Sequence, residues 1–183
     1  AVRHILARYT GQEPQDIGFR NGPNGKPFLK GPHADIQFSV SHSENLSLCA
    51  VTRSAPIGVD VERIHDGVDP AALAARYFAP VETRELEALP PEEAVCAFYR
   101  IWTRKEAVLK AIGAGLAAPL DAFSVSLRPD TQPEYVTVTE PDGRSSSWRV
   151  QEIPLARPHV AAVAVGERTH TLCLWDWPGT GGS

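Results

Sequence analysis

The feature that most constrains the fold of this chain is one long helix predicted between Pro91 and Leu116. Two prolines open the segment, and two glutamates follow in its first turn, where carboxylates suit the positive end of the helix dipole. Gly113 and Gly115 predict its C-terminal end. Apolar residues recur at helical spacing, so one face is expected to pack against a core. They are Val95, Phe98, Ile101, Trp102, Val108, Leu109 and Ile112.

The same helix carries three chemically distinct side chains along one stripe. Trp102, Glu106 and Lys110 are four residues apart, so successive side chains differ by only about 40° around the helix axis. A carboxylate and an ammonium group therefore project together beside a large ring. Taken alone, Glu106 and Lys110 are better explained as a surface ion pair worth about 0.5 kcal/mol. Other parts of the chain change that interpretation.

A second informative segment, Ile57–Ile64, alternates like a strand. Val59 and Val61 face one side of it. Asp60 and Glu62 face the other side, about 7 Å apart. Two carboxylates on one face of an apolar strand are costly to bury without a counter-charge, so either that face is hydrated or a cation lies there. Mg²⁺ suits such a pair because it binds one or two carboxylates and completes its shell with waters and substrate phosphates.

Two further segments offer groups that can bind an anion. The turn-rich stretch from residue 21 to residue 27 holds Lys26 between a glycine and a proline, which stiffens the backbone that presents the amine. A predicted strand, Ile36–Val40, leads into Ser41 and His42, whose side chains and backbone amides can hold a phosphate. In isolation, a solvated lysine and a structural histidine explain these residues better. A hydrolase triad is discounted because the chain has no nucleophile elbow.

Composition narrows the possible classes of function. The chain has 183 residues, of which 43% are hydrophobic, and 18 basic against 22 acidic residues give a net charge of −4. This suits one compact unit or two small lobes, and it argues against non-specific nucleic-acid binding. No membrane span or signal peptide is predicted. Three separated cysteines without a CxxC pair predict small buried thiols in a reducing cytoplasm.

The remaining segments predict a mixture of helices and strands. Phe38–Ser41 and Phe123–Ser126 share the same four residues, which fits two similar α/β halves divided near Ala55 and Pro56. Short helices are predicted at Asp69–Phe78 and Ala79–Leu89. Further strands are predicted at Leu46–Thr52, Phe123–Leu127, Tyr135–Thr139, Ser147–Gln151, Val160–Val165 and Thr171–Trp175, with a hairpin turn at Pro141–Gly143.

Together, these groups match the needs of a site that cleaves a diphosphate: carboxylates for a divalent cation, and cations for phosphate oxygens. The carboxylates are Asp60, Glu62 and Glu106, and the cationic or potentially cationic groups are Lys26, His42, Lys105 and Lys110. Four ordered blocks carry a family resemblance: Gly25–Pro27, Phe38–Ser43, Gly58–Glu62 and Trp102–Lys110. With them the chain resembles the 4'-phosphopantetheinyl transferases of the surfactin-synthetase type over almost its whole length.

The resemblance implies an α+β fold of two pseudo-symmetric α/β lobes with coenzyme A in the cleft between them. Residues 1–56 would form the first lobe, at the nucleotide end. Residues 57–177 would form the second lobe, with the magnesium site, the catalytic helix and the carrier docking surface. Residues 178–183 would be a flexible tail. The implied activity moves 4'-phosphopantetheine from coenzyme A to a serine of an acyl or peptidyl carrier protein and releases 3',5'-ADP.

The resemblance also implies a role for each matching residue, and Mg²⁺ as cofactor. Asp60, Glu62 and Glu106 would bind Mg²⁺, and Glu106 is also the candidate base. Lys110 would neutralise charge during the attack, Lys105 would contact the diphosphate, and Lys26, Ser41 and His42 would contact the nucleotide end. The carrier would dock near Arg76, Tyr77, Phe78 and Leu116. The expected protein is a cytoplasmic monomer with no nucleic-acid or membrane partner.

Members of that family carry some tens of residues before the segment that matches Ala1, so the first lobe is expected to be truncated at its N terminus and to bind coenzyme A weakly. Two other interpretations stay open. One is another magnesium-dependent enzyme that acts on nucleotide diphosphates. The other is a non-catalytic module that binds coenzyme A or the carrier.

Overall fold

The structure is a computed structural model that describes residues 1–22, 24–115, 119–129, 132–139, 143–166 and 170–178. Within these ranges the helices are α1 (Val2–Thr10), α2 (Pro70–Tyr77), α3 (Pro80–Glu87) and α4 (Pro91–Ile112). The strands are β1 (Phe19–Asn21), β2 (Pro27–Leu29), β3 (Ile36–Ser43), β4 (Leu46–Arg53), β5 (Ile57–Arg63), β6 (Glu134–Thr139), β7 (Ser145–Ile153) and β8 (His159–Gly166).

The strands form antiparallel sheets. β1 pairs with β2, and β3 pairs with β4, so that Ile36 lies opposite Arg53. The largest sheet has the order β5-β8-β7-β6, and in it Asp60 lies opposite Ala162. Helices combined with antiparallel sheets confirm the predicted α+β class.

The long helix is present as predicted and packs on the four-stranded sheet. It begins at Pro91, and its core-facing side chains include Ile101 and Val108, which are fully buried. It ends at Ile112 because Gly113 adopts a left-handed conformation with φ 75°, and the Gly113 N–H donates to the Leu109 carbonyl. Leu116, the predicted limit of this segment, lies outside the described residues.

The helix and β5 are in direct backbone contact at Gly58. A Cβ atom on Gly58 would lie 2.0 Å from the Ala107 carbonyl oxygen and 2.4 Å from the Ala111 nitrogen. Only a glycine permits this approach, because any side chain would overlap the helix backbone. The contact sets how close the side chains of β5 and α4 can come to each other.

The other edge of β5 is joined to β3 by side chains. Serines at alternate positions of β3 share one face of the strand, and their hydroxyl oxygens accept hydrogen bonds from β5 backbone N–H groups. The pairs are Val59 N with Ser39 Oγ at 3.1 Å, Val61 N with Ser41 Oγ at 3.4 Å, and Arg63 N with Ser43 Oγ at 3.0 Å. The hydroxyls thus occupy the place of a neighbouring strand and connect the two sheets.

Two predicted strands are not strands in the structure. Residues 123–127 run without a strand partner, and side chains bind their backbone instead: the Val125 N–H donates to Glu82 at 2.8 Å and the Ser126 N–H to Glu134 at 2.9 Å. Residues 171–175 also have no strand assignment, and Trp175 is 84% exposed. The pattern of apolar residues therefore predicted more strands than the structure contains in these two segments. The predicted turn at 141–143 lies largely outside the described residues.

The remaining predictions concern the short helices, the burial of the cysteines and membrane-spanning segments. α2 and α3 lie where short helices were predicted. Cys49 and Cys96 are half-buried, whereas Cys173 is exposed, so the prediction of three buried thiols is wrong for the last of them. None of the helices in the described ranges is both long and apolar enough to cross a membrane.

The contact at Gly58 can be tested by adding one methyl group. We expect Gly58→Ala to lower the free energy of unfolding by about 3 kcal/mol or more, because the new Cβ meets backbone atoms that cannot move aside. Gly67→Ala is the matched control, since nothing lies within 4 Å of a Cβ atom there. Urea denaturation of both variants measures the difference, and equal stability of the two would contradict the close approach.

Candidate functional site

The centre of the candidate site is a three-way contact between α4, β5 and β3. The Lys110 ammonium lies 2.7 Å from Asp60 Oδ1 and donates to Ser41 Oγ at 3.0 Å. Ser41 itself donates to Asp60 Oδ1 at 2.9 Å. Asp60 is 3% exposed, whereas one third of the Lys110 side chain is exposed, at 33%. The pair therefore lies at the boundary between the core and solvent.

Asp60 has one oxygen bound and one oxygen without a donor. Its Oδ2 atom is buried and has no hydrogen-bond partner among the described residues. Burial raises the pKa of Asp60, and the charge and hydrogen bond of Lys110 oppose that shift. A buried carboxylate oxygen in this state is suited to binding a cation.

Two more carboxylates, those of Glu62 and Glu106, interact electrostatically with Asp60. Glu62 accepts a hydrogen bond from Ser43 at 3.2 Å. Burial is the main cause that raises the pKa of Glu62 and of Glu106, and the negative charge of Asp60 adds to it in both cases. Asp60, Glu62 and Glu106 therefore lie within electrostatic reach of one another, on the two elements where they were predicted.

The three carboxylates are not assembled into a metal cluster in this arrangement. Across the described ranges of the chain, no three His, Cys, Asp or Glu side chains are close enough together to hold a metal ion. Two of the predicted ligands are bound by other side chains. Lys110 neutralises Asp60, and Ser43 binds Glu62. The predicted magnesium ligands are thus brought near one another, and their coordination of Mg²⁺ stays a prediction.

Lys105 lies elsewhere, and the structure does not support its predicted diphosphate contact. Its side chain has no exposed surface, and its ammonium lies 2.8 Å from Glu82 Oε2, which is equally buried. The ammonium also donates to the Leu120 carbonyl at 2.6 Å and to the Phe123 carbonyl. Burial lowers the pKa of Lys105, and the charge of Glu82 opposes this shift. In this arrangement the ammonium is bound within the core and is not presented to a ligand.

Lys26 is also bound to the protein itself. Its ammonium donates to the Ala111 carbonyl at 2.8 Å and to the Ile57 carbonyl at 3.0 Å. Burial lowers its pKa to about 8. Both acceptors are backbone atoms of α4 and β5, so the structure places Lys26 beside the site and does not show it free to contact a nucleotide.

The two remaining predicted residues lie on β3, on opposite faces. Ser41 is buried at the centre of the site. His42, the next residue along the strand, is exposed, because successive side chains of a strand point to opposite sides. Of the predicted site residues, the structure therefore brings together Asp60, Glu62, Glu106, Lys110 and Ser41.

Sequence reasoning missed several residues that support the site. Ser39 and Ser43 bind β5, and their alternation with Ser41 was a usable signal for a polar face on β3. Glu82 gave no such signal: besides the neighbouring Ala79 N–H, it binds Lys105 and the Val125 N–H, which lie far from it in the sequence.

Comparison with known proteins gives the class of protein to which this fold and site belong. A sequence model of the 4'-phosphopantetheinyl transferase superfamily matches residues 56–164, which include β5 and α4. The chain belongs to that superfamily.

Individual relatives agree with this assignment. The chain is similar to the 4'-phosphopantetheinyl transferase HetI of Nostoc sp., with 40% identity over 166 residues, 90% of this chain and 67% of that protein. It is similar to the 4'-phosphopantetheinyl transferase Sfp of Bacillus subtilis, with 36% identity over 149 residues, 80% of this chain and 62% of that protein. Another Bacillus subtilis 4'-phosphopantetheinyl transferase is 37% identical over 78% of this chain and 60% of its own length. The chain thus spans between 60% and 67% of the lengths of these relatives.

The buried Lys105–Glu82 pair leads to a stability prediction. We expect Lys105→Met to lower the free energy of unfolding by about 3–5 kcal/mol, because Glu82 is left buried without its cation. The double variant with Glu82→Gln removes both charges and should regain part of that loss. Chemical denaturation of wild type, Lys105→Met, Glu82→Gln and the double variant measures this coupling. Additive effects of the two substitutions would contradict a direct pair.

Proposed function

We propose that this chain is the catalytic part of a transferase that moves 4'-phosphopantetheine from coenzyme A to a serine of an acyl or peptidyl carrier protein and releases 3',5'-ADP. The observation that carries the proposal is the contact of Lys110 with Asp60 and Ser41, beside Glu62 and Glu106. A cation and three carboxylates within electrostatic reach of one another are the groups that binding and cleaving a diphosphate require. The relatives named as 4'-phosphopantetheinyl transferases support the substrate class.

Mg²⁺ fits the donors at this site. The candidate ligands are carboxylate oxygens, which Mg²⁺ prefers, and the buried Oδ2 of Asp60 has no hydrogen-bond partner in the part of the chain that the structure describes. We propose Asp60, Glu62 and Glu106 as the residues that hold the ion. Bound there, Mg²⁺ would supply Lewis-acid stabilisation of the diphosphate charge. Lys110 would then share Asp60 with the ion.

The chain's own residues account for the remaining chemistry. A serine hydroxyl is a weak nucleophile until a base accepts its proton. Glu106 is the proposed base, and its raised pKa makes the carboxylate a better proton acceptor than an exposed glutamate. Lys110 is partly exposed, so its ammonium can neutralise the negative charge that develops as the nucleotide leaves.

We propose different parts of the protein for the nucleotide end of coenzyme A and for the carrier protein. Ser41 and His42 are the proposed contacts to the nucleotide end of coenzyme A. Carrier docking is proposed around Arg76, which is exposed, with its guanidinium 5.0 Å from the centre of the Tyr77 ring. Phe78 is only 4% exposed, so its proposed part in that patch is to pack beneath Tyr77 and Arg76. A monomer in the cytoplasm is the proposed state, and the three free cysteines suit a reducing compartment.

One experiment separates the proposed function from its alternatives. The protein is mixed with apo carrier, coenzyme A and Mg²⁺, and intact masses are recorded. Carrier that gains one phosphopantetheinyl group supports the transferase. Breakdown of coenzyme A without modified carrier would favour a different nucleotide-diphosphate enzyme, and formation of a complex alone would favour a binding module.

Asp60 allows a sharper prediction. We expect Asp60→Asn to lower the rate of carrier modification by about a hundredfold or more, because the site loses a charge that holds the cation. The fold should persist within about 1 kcal/mol, since burial already disfavours the ionised form of this carboxyl group. Asp66→Asn removes an exposed aspartate on the following turn and is the control. Equal rates for the two variants would exclude Asp60 from the site.

A further inference from the structure

A short loop within the N-terminal 56 residues lies directly against the C-terminal end of α4. The loop comprises Asn24–Pro27 and is called the 24–27 loop below. The Asn24 side-chain amide donates to the Gly113 carbonyl at 2.9 Å. The Lys26 ammonium donates to the Ala111 carbonyl at 2.8 Å and to the Ile57 carbonyl at 3.0 Å. Two side chains of one short loop thus bind the end of the helix and the first residue of β5.

The contact leaves little room for side chains at the two glycines after the helix. A Cβ atom on Gly113 would lie 3.3 Å from Lys26 Cδ, and one on Gly115 would lie 3.0 Å from Asn24 Cβ. Both glycines also have positive φ, at 75° and 71°. Gly113, which ends the helix, and Gly115, which follows it, therefore both permit the 24–27 loop to pack closely.

The end of a helix favours a cation for two reasons. Its last carbonyl groups have no partner within the helix, and its dipole concentrates partial negative charge there. Lys26 satisfies one of these carbonyls with a full positive charge. Because it also binds the Ile57 carbonyl, a single ammonium connects the helix end to the strand beside it.

The two connected elements are the ones that carry the candidate site. Ala111 follows Lys110 directly, and Ile57 lies three residues before Asp60 on β5. At Gly58, between those positions, the helix and strand are in backbone contact. The Lys26 ammonium therefore holds α4 and β5 together close to the point from which Lys110 reaches Asp60 at 2.7 Å.

We propose that Lys26 is a positioning residue that joins the ends of α4 and β5 and so sets the position of Lys110 relative to Asp60, in place of the nucleotide contact that the sequence predicts. This proposal rests on the proposed transferase function. The geometry supports it, because the one ammonium binds a backbone carbonyl of each element. Burial lowers the pKa of Lys26 to about 8, as expected for an amine held away from water.

Kinetics distinguish a positioning residue from a ligand contact. We expect Lys26→Met to lower kcat for carrier modification about tenfold, since small displacements of reacting groups are costly. The dissociation constant for coenzyme A should stay within about twofold of the wild-type value. Lys26→Arg should restore part of kcat, because a guanidinium can also donate to both carbonyls. Lys30→Met is the matched control, since Lys30 is an exposed lysine near the same loop.

Two kinetic results would contradict a positioning role for Lys26. A large rise in the dissociation constant of Lys26→Met with kcat retained would identify Lys26 as a coenzyme contact and overturn the proposal. Lys26→Met kinetics identical to those of Lys30→Met would overturn it as well. If Lys26→Met does not fold, Asn24→Ala removes the neighbouring bond to Gly113, and the proposal then requires a smaller fall in kcat with unchanged coenzyme affinity.

Hydrogen exchange tests the contact without any assay of activity. In Lys26→Met the backbone amides of residues 109–113 should exchange faster than in wild type, whereas Lys30→Met should leave them unchanged. Unchanged exchange in Lys26→Met would overturn the proposal. If the wild-type protein transfers nothing to a carrier, the proposed function fails, and the exchange data still decide whether Lys26 holds the end of α4.

Discussion

The arrangement of the candidate site depends on the backbone contact between β5 and α4 at Gly58. Without a side chain at that position, the strand approaches the Ala107 carbonyl and the Ala111 nitrogen of the helix closely. Asp60 then lies one strand repeat further on, and Lys110 lies on the adjoining helical turn, where the two side chains form their ion pair. A wider spacing between strand and helix would separate a carboxylate and an ammonium that are 50 residues apart in the chain.

One helix supplies two lysines with opposite tasks. Lys105 and Lys110 are five residues apart, which places them about 140° apart around the axis of α4. The first therefore points into the core, where Glu82 and two carbonyls surround it, and the second points towards the boundary of the site. The free energy cost of burying the first ammonium is offset by a buried carboxylate, whereas the second keeps access to solvent.

In this fold, side chains form hydrogen bonds with several backbone groups that have no strand partner. The serines of β3 bind the free edge of β5, and Glu82 and Glu134 bind the N–H groups of the extended segment after α4. Lys26 satisfies the end of α4 in the same manner. These polar residues satisfy backbone groups that would otherwise be buried without a partner, so their charge or hydroxyl group is not by itself a sign of catalysis.

The α+β class was implied by the family resemblance. The sequence by itself determined the start of α4 at Pro91, its glycine end, and the strand that carries Asp60 and Glu62. These features depend on periodicity and on local backbone preferences, which neighbouring residues specify. The segments 123–127 and 171–175 were wrongly predicted as strands, because a strand requires a partner that local sequence does not describe. Only the tertiary structure decided the places of Lys26 and Lys105, since each ammonium binds the acceptors that folding brings to it, and those acceptors come from distant parts of the chain.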